Sequence, residues 1–188
     1  VTWINDTSNG ATLTGIAYGN GRFVAVGGGG RRIVSTDGVT WTNDTSGGEH
    51  LYAIAYGNGK FVALGASGRR IVSTSTDGVT WINDTLDGEC LRAIAYGDGK
   101  FIAVGDLGRR IVSTDGVVWK NEVLETYPAA NLNDIAYGNG RFVAVGASGR
   151  SIVSTDGVNW INDTSNGAIL NGIAYGNGRF VAVGGGGR

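Results

Sequence analysis

The chain has 188 residues, long enough for a sizeable core, and its 35 glycines, single proline and 41% apolar content suit a turn-dense all-β protein. Its 15 basic and 16 acidic residues are interspersed and sum to −1, so nothing attracts a polyanion, no nucleic-acid partner is expected and an anionic membrane surface is a poor first guess. No apolar run reaches membrane-spanning length and no signal peptide is visible, so no membrane insertion is expected, and the lone Cys90 excludes an intrachain disulfide. The compartment stays open. The chain contains no methionine and opens at Val1 in mid-repeat, so a processed or trimmed chain, or a piece of a longer array, is expected.

Four short strands follow one another after the first tryptophan. They are predicted at Leu13 to Tyr18 (strand A), Arg22 to Val26 (B), Arg32 to Ser35 (C) and Thr40 to Asp44 (D), each rich in Val, Ile, Phe, Tyr or Trp and bounded by Gly. No stretch sustains helical periodicity. Asn20-Gly21 joins A to B and Asp37-Gly38 joins C to D. Both pairs accept the positive φ of a type I′ turn, so two tight hairpins are predicted.

The same unit then recurs. Trp3, Trp41, Trp81, Trp119 and Trp160 stand 38, 40, 38 and 41 residues apart, and IAYG returns at Ile16, Ile54, Ile94, Ile135 and Ile173. Phe23, Phe61, Phe101, Phe142 and Phe180 open FVAVG-like runs, while IVSTDG occurs only four times, at Ile33, Ile71 (with an insertion), Ile111 and Ile152. A fixed period of this size means stacked copies of one supersecondary unit, and four-stranded meanders arranged around an axis make a β-propeller. The expected fold is all-β, a five-bladed β-propeller of four-stranded antiparallel blades whose last blade lacks one strand. It fills 1–188 as a single domain, with repeats at about 1–38, 39–78, 79–116, 117–157 and 158–188 (incomplete). Residues 1–31 and 158–188 differ at three positions: Thr2/Asn159, Thr12/Ile169 and Thr14/Asn171. Association of copies through the incomplete fifth blade is one expected outcome of its unpaired edges.

The phrase Ser35-Thr36-Asp37-Gly38-Val39-Thr40-Trp41 resembles the Asp-box, S-x-D-x-G-x-x-W, of bacterial BNR-type propellers such as sialidases and photosystem II assembly factors. Each copy has one residue fewer between Asp and Trp than that pattern. The resemblance implies that Asp37, Asp77, Asp115 and Asp156 cap hairpins and that Trp3, Trp41, Trp81, Trp119 and Trp160 pack beneath them, as structural residues.

Comparison of the copies separates what a blade requires from what it tolerates. Diversity concentrates in the D–A connections with the first residues of strand A, and in the B–C turns. In an antiparallel meander these loops share one face, and loops on a rigid scaffold are the usual place for binding residues. The candidate binding residues flank the Leu of each strand A: Thr12 and Thr14, His50 and Tyr52, Cys90 and Arg92, Asn131 and Asn133, Ile169 and Asn171, joined by Asp106 and Asp134.

Catalysis is thinly supplied. One His and one Cys meet the needs of neither a triad nor a metal site, so no enzyme activity, cofactor or metal is expected. Arg31, Arg69, Arg109, Arg150 and Arg188 recur once per repeat, which fits a structural or surface role better than a single asymmetric pocket. The GNGRF and GGGG segments lead into strands and are turns, not phosphate loops. The expected function is non-enzymatic binding of a protein ligand through the variable face. A multivalent lectin for a glycan is the second reading, a minimal or engineered repeat assembly without a ligand the third, and a BNR-type glycoside hydrolase the last.

Overall fold

A computed structural model describes residues 12–73, 76–85, 87–123, 130–162 and 167–185. The first sheet contains β1 (Leu13–Gly19), β2 (Arg22–Gly27), β3 (Arg32–Ser35) and β4 (Thr42–Thr45), hydrogen-bonded in that order as an antiparallel meander. The second repeats it with β5 (Leu51–Gly57), β6 (Lys60–Gly65), β7 (Arg70–Ser73) and β8 (Trp81–Thr85). The third has β9 (Leu91–Gly97), β10 (Lys100–Gly105), β11 (Arg110–Ser113) and β12 (Lys120–Val123). The fourth has β13 (Leu132–Gly138), β14 (Arg141–Gly146), β15 (Ser151–Ser154) and β16 (Ile161–Asn162). β17 (Leu170–Gly176) and β18 (Arg179–Gly184) form a two-stranded sheet. Trp3 and Arg188 lie outside the described residues.

The A–B hairpins have the predicted turn. Asn20 (φ 48°) and Gly21 (φ 73°) are both left-handed, as type I′ requires, and the Asn/Asp-Gly pairs of the other four hairpins follow them. The C–D connection is a different turn. Only Gly38 (φ 77°) has positive φ there, so Asp37-Gly38 is not type I′. The Asp37 carboxylate instead accepts the N–H groups of Val39 (2.8 Å) and Thr40 (2.7 Å). Amides held this way cannot enter the ladder, which is why β4 begins at Thr42 and not at the predicted Thr40.

Strand A of each sheet packs on strand A of the next: β1 on β5, β5 on β9, β9 on β13 and β13 on β17. Phe61, Phe101 and Phe142 are fully buried between sheets, together with Val62, Leu64, Ile102 and Val104. The tryptophans of the described repeats sit nearer the rim. Trp81, Trp119 and Trp160 are half-buried over the same clusters, and their indole N–H groups donate to Gly78 O (2.9 Å), Gly116 O (3.1 Å) and Gly157 O (3.1 Å).

One contact sets the spacing of neighbouring sheets. The glycine that ends IAYG lies against the tyrosine ring of the following repeat, so that a Cβ on Gly97 would fall 2.1 Å from the Tyr137 ring. Gly19 faces Tyr56, Gly57 faces Tyr96 and Gly138 faces Tyr175 in the same way. Each tyrosine also tilts against the Phe of its own hairpin at 4.6–4.8 Å. Gly97→Ala forces the ring away and is expected to cost about 1–3 kcal/mol, the range for an overpacked core. Gly176→Ala, where nothing lies within 4 Å among the described residues, should leave thermal melting unchanged. Equal melting temperatures for the two variants would contradict this account of the interface.

Candidate binding site

Strand A of every repeat carries the same irregularity. Leu13 pairs with Gly27 and Gly15 with Val26, so Thr14 has no partner and forms a β-bulge. The shift recurs at Tyr52, Arg92, Asn133 and Asn171. A bulge re-aims a side chain without disturbing the strand beyond it. The glycine closing strand B makes it possible: a Cβ on Gly65 would lie 1.9 Å from His50 O, and Gly27, Gly105, Gly146 and Gly184 meet the matching carbonyl equally closely. That carbonyl accepts the first N–H of the B–C turn, from Ala66 to His50 O (2.9 Å) and from Asp106 to Cys90 O (3.0 Å). The backbone on either side of the Leu is thereby fixed in every copy, whichever side chains it carries.

The bulge side chains converge. Tyr52, Arg92, Asn133 and Asn171, from equivalent positions of four successive repeats, line one pocket of about 360 Å³ together with Ile169. It lies where the inner strands begin. Arg92 forms an ion pair with Asp106 from the B–C turn of its own sheet. Both partners are partly exposed, so the pair orients the guanidinium more than it stabilises the fold.

The other candidate residues do different work. The Thr14 hydroxyl donates to Leu51 O (2.7 Å), and Asn133 Nδ2 makes the matching bond to Leu170 O (2.8 Å), each tying one sheet to the next. Asn131 Oδ1 accepts the Leu107 N–H (3.0 Å) from the preceding sheet. Asp134 accepts Ile135 N–H and Ile173 N–H, both at 2.8 Å, and joins the fourth sheet to the fifth. Burial pushes its pKa up, against these two N–H groups, which pull it down. Thr12 and His50 are exposed and Cys90 is half-buried beside the strand starts. Among the described residues no cluster of His, Cys, Asp or Glu could hold a metal ion.

The opposite face is built from the C–D turns. Ser35 Oγ donates to Asp37 Oδ1 (3.0 Å) and accepts Gly38 N–H (2.8 Å), an arrangement repeated at Ser113–Asp115 and Ser154–Asp156. Asp77 accepts Val79 N–H (2.9 Å). Backbone N–H groups of Thr40 and Val39 bring the Asp37 pKa down from its ordinary 3.8 to about 2. Asn159 and Val158 lower Asp156 in the same way, and Val118 with Val117 lowers Asp115. A depressed carboxylate contributes stability above its unfolded pKa that is lost as pH falls through the folded one. The melting temperature is therefore expected to fall between pH 3.8 and about 2, and Asp37→Ala should reduce that slope. A wild-type melting temperature that is flat across this window would contradict the capping role.

Sequence reasoning undervalued the once-per-repeat arginine. Arg31, Arg69, Arg109 and Arg150 are buried, so of the two roles considered, structural and surface, the surface one is corrected. Arg109 is wholly enclosed, with Nη1 donating to Glu89 O and Nη2 to Asp87 Oδ1 (3.0 Å). A Cβ on Gly68 of the preceding B–C turn would lie 2.5 Å from its Nη1, and one on Gly88 would lie 3.1 Å away. Arg69 stands in the same relation to Gly30 and Gly48. The usable signal was the pairing of Arg69 and Arg109 each with a glycine in the previous B–C turn and another in the D–A connection.

No family model matches the sequence, and no curated protein matches it. Solved structures do. YCF48 from Cyanidioschyzon merolae superposes with a TM-score of 0.64 at 17% identity over 88% of this chain. YCF48 bound to D1 peptide gives 0.68 at 18% over 94%, and the WD40 repeats of RRP9 give 0.70 at 9% over 88%. The chain spans 60%, 63% and 55% of the length of these three. At such identities the likeness concerns architecture alone, and together with the repeated antiparallel sheets it makes the fold a β-propeller.

Proposed function

We propose that the chain is a non-enzymatic, protein-binding propeller whose pocket at the strand-A bulges receives an exposed segment of a partner protein. In this reading the five repeats are five blades and the Ser-Thr-Asp-Gly turns are relatives of the Asp-box. The observation that carries the proposal is the convergence of Tyr52, Arg92, Asn133 and Asn171, three kinds of side chain at four like positions, on one pocket. Inter-sheet packing holds the rest of the strand constant and leaves these side chains free to differ. A phenol ring and Ile169 offer apolar surface, and two carboxamides offer donors and acceptors suited to a peptide backbone. A volume of about 360 Å³ admits one or two side chains, not a folded domain. A solved propeller of this architecture, YCF48, holds a D1 peptide.

Selection from a displayed library of linear peptides, followed by titration of the winners, tests the proposal. Tyr52→Ala and Asn171→Ala are each expected to weaken binding about tenfold, equivalent to about 1.4 kcal/mol, with the fold intact. Peptide binding that both variants leave unchanged would overturn the site. Saccharide binding on a glycan array, abolished by the same two changes, would replace the reading with that of a lectin.

A further inference from the structure

The C–D turns enclose a second pocket, at the junction of the third and fourth sheets and on the face opposite the strand-A bulges. The turn at 156–158 rides on the third sheet: a Cβ on Gly157 would fall 2.1 Å from Ile102 Cδ1 and 3.6 Å from Val112 Cγ2. Ile102 pairs with Val112 and Val112 with Lys120, so these residues share one face of the sheet, and Lys100 joins them two residues before Ile102. Beside the turn lies a cavity of about 380 Å³ lined by Lys100, Val112, Val118, Lys120 and Val158. The Asp115 and Asp156 carboxylates also border it.

Two residues make this junction unlike its counterparts. The position paired with the strand-C valine is Thr42 in the first repeat, Ile82 in the second and Ile161 in the fourth, but Lys120 in the third. The residue before the tryptophan is Thr40, Thr80 or Asn159 in those repeats, but Val118 in the third. Asn159 spends its side-chain amide on Asp156 Oδ2 (2.8 Å). A valine has no such partner to find, and Val118 presents an exposed apolar surface to the pocket.

The charges of the pocket are unevenly spent. Asp156 accepts the N–H groups of Val158 (2.8 Å) and Asn159 (2.7 Å), and Asp115 accepts those of Val117 (2.8 Å) and Val118 (2.9 Å) with the Ser113 hydroxyl (3.0 Å). These donors compensate both carboxylates within their own turns. No ion pair joins Lys120 to another described residue, and Lys100 has one long contact, 3.5 Å, to the exposed Asp98 carboxylate. What the pocket offers a ligand is two ammonium groups beside a patch of valines. We infer that it is a second binding site, for a small organic acid whose carboxylate sits between Lys100 and Lys120 and whose apolar body lies against Val112, Val118 and Val158. The flexible lysine stems let two point charges reach one anion without a fixed geometry. A dianion such as phosphate would gain nothing from the valines and would face Asp115 and Asp156, whereas burying an apolar body adds affinity to a single charge.

Titration of the isotope-labelled chain with sodium 4-phenylbutyrate and sodium hexanoate, followed through its amide resonances, tests the inference. Saturating shifts are expected at Val118, Lys120 and Val158. 4-Phenyl-1-butanol keeps the body and loses the charge, and 4-phenylbutylamine reverses it; each should bind at least about tenfold more weakly than the acid. Lys120→Ile and Val118→Thr install residues that other repeats carry at the same positions, so the fold is kept. They should weaken 4-phenylbutyrate binding about tenfold and about threefold. Tyr52→Ala, in the pocket of the opposite face, should leave it unchanged, so the two sites stand or fall separately. Shifts that never saturate with either acid overturn the inference. So does equal binding of acid and alcohol, an affinity that Lys120→Ile leaves unchanged, or one that Tyr52→Ala removes. Circular dichroism melts of each variant, matching wild type, separate loss of binding from loss of the fold.

Discussion

Phe101→Ala is expected to lower the free energy of unfolding by about 3–5 kcal/mol, the range for emptying a large buried aromatic site. The ring is wholly buried against Val62 and Val72 of the preceding sheet, with Tyr96 of its own hairpin at 4.7 Å. It therefore belongs to two sheets at once, and its removal opens a cavity at the junction that holds them together. The chain supplies its own control. Phe23 occupies the same place in the first sheet, where no preceding sheet lies against it among the described residues and the side chain is only half-buried, though it keeps the Tyr18 ring of its own hairpin at 4.7 Å. Phe23→Ala should cost less than half as much in a urea titration. Similar losses for the two would mean that the aromatic stabilises its own hairpin and not the junction between sheets.

Arg109→Ala is the second large effect, at about 2–4 kcal/mol, and its origin is polar. The guanidinium is closed off from water between Gly68, Gly88 and the D–A backbone, and its loss leaves the Glu89 carbonyl without that donor. The Asp87 carboxylate contributes less. It is 56% exposed and also bonded to Arg70, whose hydrogen bond is the first cause of its lowered pKa. Arg109→Lys cannot donate along both directions of the fork and should recover less than half of the loss. A measured cost for Arg109→Ala below about 0.5 kcal/mol, typical of a surface site, would contradict the arginine's place in the inter-sheet packing.

Much of the architecture was legible because each repeat states it again. Leu13 to Tyr18, Arg22 to Val26 and Arg32 to Ser35 are strands within one residue of expectation, since apolar alternation and Asn-Gly pairs report local chemistry. The C–D turn was misread because Asp-Gly is compatible with type I′, and only the side-chain bonds of Asp37 and Ser35 show that another turn wins. The arginines were underread for a related reason. Their burial depends on glycines 20 to 40 residues away, Gly48 and Gly30 for Arg69, and on no local pattern.

Variation between copies singled out the candidate residues as a group without separating the places they take in the structure. Variation between copies pointed to the positions around each Leu, and the bulge explains why those positions are free to vary. It could not separate Tyr52 and Asn171, which line the pocket, from Thr14 and Asp134, which tie sheets together through hydrogen bonds. Nor could it anticipate that Asn133 does both. Side-chain identity reads the same in each case. Only its distance from the neighbouring backbone divides scaffold from site.

That division is the central claim, and one paired measurement on the Tyr52→Ala/Asn171→Ala double variant tests it most directly. Thermal melting and affinity for the selected peptide are recorded on the same sample. The account predicts a melting temperature equal to that of the wild type with peptide affinity reduced about a hundredfold, the product of two independent tenfold losses. A variant that melts early, or one that melts normally and binds the peptide as before, would contradict it.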